Sequence, residues 1–161
     1  MNIYLFNLIN GLSQYNFVNY ISIFLSYFFI YLLPVILIIW GHCYQNRKMY
    51  YFSILFLSTL TTWFVSQFIK SITAIARPVV ANPIIIEHGY SFPSQHAALT
   101  MVIAVVIYSI NKKLGTFLIV ASLLVGFSRV VLGVHYPFDV CVGWVLGWFI
   151  GLIFIRLFKN V

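Results

Sequence analysis

FDVCVGWVLGWFIGLIFIRLF, residues 138 to 158, carries an acidic side chain at its second position and a basic one near its end, with no charge between Val140 and Ile155. At about 1.5 Å of rise per residue, roughly 20 such residues cross a hydrocarbon layer of about 30 Å. The same pattern recurs upstream at Phe17 to Trp40, Tyr50 to Phe68, His96 to Ile110 and Leu114 to Leu132, so five membrane spans are expected. The third run is short, which places one of its ends inside a protein-lined pocket. The 161 residues are 63% hydrophobic, 19% aromatic and only 7% charged, and the mean hydropathy of +1.02 excludes a soluble globular domain. The fold class expected is an all-α polytopic membrane helical bundle, with residues 1 to 161 forming a single membrane-embedded domain.

Residues 1 to 16, MNIYLFNLINGLSQYN, place Ile3, Leu5, Leu8, Ile9 and Leu12 among Asn7, Asn10 and Gly11. This is the composition of an interfacial amphipathic helix. A cleaved signal peptide is the alternative, but the segment has no basic start and the next run is too long for a signal core. The two cysteines are not expected to pair, because Cys43 falls in a loop beside Arg47 and Lys48 while Cys141 falls within the last span.

The net charge of +7 does not point to nucleic acid, since no basic patch with interleaved aromatics lies outside the spans. Arg47, Lys48, Lys112, Lys113, Arg156 and Lys159 all fall on one side of alternating spans. The positive-inside tendency makes that side cytoplasmic, and the loops holding Ser71 to Gln95 and Gly133 to Pro137 then face outward. Lys70, Arg77 and Arg129 remain, all at the outer ends of spans, together with His88, His96, His135 and both acidic residues, Glu87 and Asp139. Long basic side chains at helix ends can simply reach for lipid headgroups. Their gathering with three histidines on one face calls for a further reason.

Three stretches meet there: KSITAIARP (70 to 78), PSQH (93 to 96) and SRVVLGVHYPFD (128 to 139). In the first, Lys70 and Arg77 are about two helical turns apart if span two continues, within reach of one polyanion, and Pro78 is expected to stop the helix. In the second, Ser94 reads as an N-cap, so that free amides and the positive dipole end point into the pocket. In the third, His135 and Asp139 are four apart across an expected helix start at Pro137. Asp139 can fix the imidazole tautomer and leave the other nitrogen free as base or nucleophile; a purely structural pair has the same spacing.

KxxxxxxRP, PSxH and SRxxxxxHxxxD, in this order, resemble the three signature motifs of the type 2 phosphatidic acid phosphatase family, with ten specified residues between residues 70 and 139. The resemblance implies an all-helical membrane phosphatase, related in its phosphate pocket to vanadium haloperoxidases, that uses no metal ion or cofactor. It implies His135 as the nucleophile that forms a phosphohistidine, Asp139 as its orienting partner and His96 as the acid that protonates the leaving oxygen. Lys70, Arg77, Ser94 and Arg129 would hold the phosphoryl oxygens. One position departs: the family usually has glycine where this chain has Gln95. Either the turn needs no positive φ here, or the glutamine amide itself contacts phosphate or leaving group.

The expected activity is removal of phosphate from a lipid headgroup at the outer face of a cytoplasmic membrane, with lipid phosphate and membrane lipids as partners and no nucleic acid. A polyprenyl diphosphate is favoured over phosphatidylglycerol phosphate or a phosphorylated glucosamine lipid, because three cations suit more than a dianion. A transporter would spread its charges through the spans, and a phosphotransferase would differ only in the acceptor. VVANPIIIEHGY, residues 79 to 90, reads as an apolar lid, with Glu87 and His88 expected to face water. Oligomeric state is left unassigned.

Overall fold

The structure is a computed structural model that describes residues 2–27, 48–81 and 83–158. The described residues are helical wherever they are regular. Helix α1 spans Asn2–Asn10 and runs through a 3-10 turn, Gly11–Gln14, into α2, helical over 16–27. Then follow α3 (Lys48–Thr73), α4 (Gln95–Ile110), α5 (Lys112–Val131) and α6 (Pro137–Phe158). Three stretches are long and apolar enough to cross a membrane, Tyr50–Thr73, Lys112–Val131 and Pro137–Phe158, and α4 is a shorter apolar helix. The protein is a multi-pass membrane protein. The expected first span continues beyond α2 into residues outside the described ones, as do Cys43, Arg47 and Lys159. Cys141 is free and exposed.

Helix α4 is the axis of the bundle. It packs against α3, α5 and α6, and Ala97, Ala98 and the run from Thr100 to Ile107 are buried. A helix hydrophobic on every side belongs in such a position. Lipid tails are as apolar as leucine, so close packing rather than exclusion from water must hold the helices together. Helix α6 supplies it with Gly143, Gly147 and Gly151, one every turn on the face toward α4. A Cβ at Gly143 would lie 2.5 Å from the Ser94 carbonyl oxygen, one at Gly147 2.2 Å from that of Ala98, and one at Gly151 2.9 Å from a Val105 methyl. Gly147→Leu is therefore expected to cost about 3 kcal/mol, read as a lowered unfolding midpoint in detergent, because backbone cannot yield as a side chain can. Val145→Leu, on an exposed part of the same helix, should change the midpoint little.

Helix α1 lies across the C-terminal end of α5 and the N-terminal end of α6. The Asn10 amide donates to the Val131 carbonyl at 2.8 Å, and Asn2 Oδ1 accepts from the Phe138 amide at 3.2 Å, satisfying one free donor of the α6 N-terminus. Phe6 is buried beside Tyr136, ring centroids 5.4 Å apart. The amphipathic segment thus packs on protein next to the histidine loop.

One boundary, the end of α3, differs from expectation in both directions. Helix α3 carries on past Phe68 to Thr73, which places Lys70 on the helix. It then stops five residues before Pro78, so Arg77 leaves the helical path. Ala74 takes a left-handed φ of 47°, and its amide still reaches the Lys70 carbonyl at 3.0 Å. Beyond it the chain is held by Ser91, whose amide donates to the Ile75 carbonyl at 2.8 Å and whose hydroxyl lies 3.2 Å from that of Ala76. The turn is set by these long-range bonds, and proline is not needed to end the helix.

Candidate active site

The residues of the third motif come together because α5 ends just beyond Arg129 and α6 begins at Pro137. Gly133 has a φ of 76°, which a residue with a side chain adopts only under strain. This turn brings His135 back over the helix ends, where it is buried, and Asp139 follows in the first turn of α6, buried as well. His135 Nδ1 faces Asp139 Oδ2 at 3.6 Å, an ion-pair separation just beyond hydrogen-bond reach, while that oxygen accepts from the Tyr136 amide at 2.9 Å.

On its other side, His135 Nε2 lies 3.3 Å from Arg77 Nη1. A guanidinium can only donate, so this contact assigns Nε2 as the acceptor and places the imidazole proton on Nδ1, toward Asp139. The nitrogen with the free lone pair is the one facing the cations. Burial pushes the His135 pKa down to about 4; Asp139 opposes this, and Arg129, Arg77 and Lys70 add to it. The ring is therefore neutral at physiological pH.

The cations converge from three elements. Arg77 Nη1 also donates to the Val134 carbonyl at 2.9 Å, which ties the loop between α3 and α4 to the histidine turn. Arg129, near the end of α5, is fully buried and donates to Ser26 Oγ of α2 and to Glu87 Oε1. Lys70 is buried in the last turn of α3, and its ammonium donates to the carbonyls of Tyr90 at 2.8 Å and Ser91 at 3.2 Å.

The second motif supplies the N-terminus of α4. Ser94 takes the N-cap position with extended dihedrals, but its hydroxyl caps nothing: it is buried with no partner among the described residues. Its amide donates to the Asp139 carbonyl at 2.9 Å, which registers α4 against the start of α6. Arg77 Nε and Arg129 Nε are likewise buried without a partner among the described residues. Buried polar groups left unmatched are costly, and hydrogen-bond donors such as these suit an anionic ligand. His96 sits in the first turn of α4 beside them.

Gln95 is the first residue of α4 and its φ is not positive. The turn thus needs no glycine here, and the side chain lines a cavity of about 300 Å³ together with Gln67, Lys70, Arg77 and His88.

One expectation is reversed. Glu87 does not face water: its Oε2 lies 3.1 Å from Arg77 Nη1 while Oε1 accepts from Arg129, and only His88 of the pair remains exposed. Burial would raise the Glu87 pKa, but the charge and hydrogen bond of Arg129, with His96 and Arg77, bring it below the ordinary value. A loop glutamate reads as solvated, and only the fold shows that two arginines are within its reach. The sequence does not single out Ser26 either, although a serine within an apolar run, here Ser22 or Ser26, is the kind of signal that can mark a buried polar contact.

The family model described as PAP2 superfamily matches residues 47–161. Undecaprenyl-diphosphatase BcrC of Bacillus subtilis is 33% identical over 97% of this chain and 83% of its own length. Phosphatidylglycerophosphatase B of the same organism is 34% identical over 73% of this chain and 63% of its own. Among solved structures, LpxE of Aquifex aeolicus superposes with a TM-score of 0.85 at 27% identity, covering 96% of this chain and 94% of that one.

Proposed function

The chain belongs to the PAP2 superfamily, and on that premise we propose that it hydrolyses a phosphate from a membrane lipid, with a polyprenyl diphosphate as substrate. The observation that carries this reading is a buried histidine whose unprotonated Nε2 meets the Arg77 guanidinium and whose other nitrogen faces a carboxylate, with Arg129 joined to Arg77 through Glu87.

In the mechanism this geometry supports, Nε2 of His135 attacks phosphorus in line with the leaving oxygen, forming an N–P bond as the O–P bond breaks. Asp139 stabilises the imidazolium that results. His96 donates a proton to the departing lipid oxygen, then takes one from the water that cleaves the phosphohistidine. Arg129, Arg77 and Lys70, with the Ser94 hydroxyl and Gln95, hold the equatorial oxygens, where phosphoryl transfer concentrates charge. Metal independence belongs to the same proposal. The chain has two carboxylates in all, one beside His135 and one on the arginines, which is too few for a hard-cation site.

Polyprenyl diphosphate is favoured for two reasons. Three cations offer donors to the oxygens of both phosphoryl groups, and the leaving group from a diphosphate is itself a monophosphate, less basic than an alkoxide and less demanding of His96. The similarity to an undecaprenyl-diphosphatase over nearly the whole chain supports it. The site is assigned to the periplasmic or outer face of the cytoplasmic membrane, since Lys112 at the start of α5 and Arg156 near the end of α6 lie at the opposite helix ends from His135.

The test is kcat/KM across an equal-concentration panel of undecaprenyl diphosphate, phosphatidylglycerol phosphate and a phosphorylated glucosamine lipid, each with and without EDTA. The diphosphate should lead by at least about tenfold, a difference of about 1.4 kcal/mol in transition-state binding, and EDTA should leave rates unchanged. A tenfold lead for either other lipid would reassign the substrate. Loss of activity in EDTA with rescue by Mg²⁺ would reject the metal-free mechanism.

A further inference from the structure

Glu87 presents its two carboxylate oxygens to the same two guanidiniums that would hold two oxygens of a phosphoryl group. Carboxylate and phosphate offer guanidinium similar acceptor geometry, so the two are rivals for these donors. The position is also the reacting one: Arg77 Nη1, on which Oε2 rests at 3.1 Å, is the atom 3.3 Å from His135 Nε2. Charge leads to the same conclusion. With Asp139 beside His135, the three cations are left with an excess that Glu87 reduces but does not cancel. A phosphate dianion that replaces Glu87 brings the site to neutrality, whereas one that joins it leaves net negative charge.

Glu87 is also mechanically able to leave. It lies in the loop between α3 and α4, follows Ile84, Ile85 and Ile86, and precedes Gly89, whose φ is 82°. The next two residues, Tyr90 and Ser91, are held by Lys70 through their carbonyls. The loop therefore has a fixed end at Tyr90 and Ser91, and a glycine between that end and Glu87.

Resting on the phosphatase reading, we propose that Glu87 is an internal competitor for phosphate, occupying the anion cradle of the free enzyme and returning to it as inorganic phosphate departs. Its role concerns specificity and product release. Any ligand must displace the same carboxylate, which penalises weakly charged headgroups, and three cations that would otherwise retain a phosphate dianion are given an anion to exchange for it.

The experiment is direct binding of inorganic phosphate and of orthovanadate to the purified full-length protein in detergent micelles, by calorimetry, for the native chain and Glu87→Gln. Substitution should tighten both by at least about tenfold and by the same factor, because the displaced bond does not depend on what displaces it. Unchanged or weaker phosphate binding overturns the proposal and leaves the phosphatase reading in place. Failure of both proteins to bind phosphate at millimolar concentration overturns both. A second measurement needs no variant: in the native chain, saturating phosphate should speed hydrogen exchange at residues 85 to 90 by freeing the loop, where a ligand that only adds contacts would slow it. Slower exchange there overturns the competitor role.

Discussion

His135→Ala should lower phosphate release by about 10⁴-fold or more, and His96→Ala by about 10² to 10⁴-fold, the ranges expected for a lost nucleophile and a lost general acid. The two variants separate on trapping. With labelled substrate, His96→Ala still forms the N–P bond and should accumulate an acid-labile phosphoenzyme, since the step it impairs most is attack by water. His135→Ala has no nitrogen to phosphorylate and should show no label. Label retained without His135 would reject the assignment. The pH profile offers a separate check. Burial first, then the cations, hold the His135 pKa down to about 4. The attacking nitrogen is therefore unprotonated above that value, and kcat/KM of the native enzyme should hold on the acid side well below the ordinary imidazole range, falling only as pH approaches 4.

Arg129→Met should lower kcat/KM by about 10³-fold, the scale associated with an arginine that stabilises transition-state charge in phosphoryl transfer. The side chain is fully buried, with Ser26 and Glu87 as its partners. Its removal leaves Glu87 with Arg77 alone, and about 2 kcal/mol of stability should go as well, toward the lower end for a broken buried pair because Glu87 is partly exposed. Adding Glu87→Gln to Arg129→Met should restore part of the unfolding midpoint and only the roughly tenfold in kcat/KM that removing the competitor provides, far short of the native rate. Recovery of the full native rate in the double variant would show that Arg129 serves only to neutralise Glu87.

Much of this arrangement was readable before any coordinates. The helix starts at Gln95 and Pro137 follow from Ser94 and from proline's preference for a first helical position, and the uninterrupted run after Phe138 leaves little alternative to a span. The gathering of Lys70, Arg77, Arg129, His135 and Asp139 at one end follows from counting spans. Residues whose position depends on long-range partners were not readable. The end of α3 is decided by Ser91 bonding to Ile75 and Ala76, sixteen and fifteen residues away. Glu87 was placed in water because loop glutamates usually are, and local sequence does not encode a reach toward Arg129. The glycines at 143, 147 and 151 are visible as a repeat, yet only the structure identifies α4 as the helix they admit.

The shortness of α4 makes bilayer thickness a variable of catalysis. Its 16 residues extend about 24 Å at about 1.5 Å each, against a hydrocarbon layer of about 30 Å. With Asn111, Lys112 and Lys113 anchoring its far end at one boundary, the end that bears Ser94 and His96 falls several ångströms short of the other. On the proposed mechanism the reacting phosphorus would then lie beneath the headgroup plane, in a dip that either the protein or a thinned membrane must provide. A lipid reaches this depth by sinking, and each added methylene in the surrounding acyl chains lengthens that descent. Hydrophobic mismatch would then tune turnover without touching any residue of the site, and the same chain would work at different rates in membranes of different thickness.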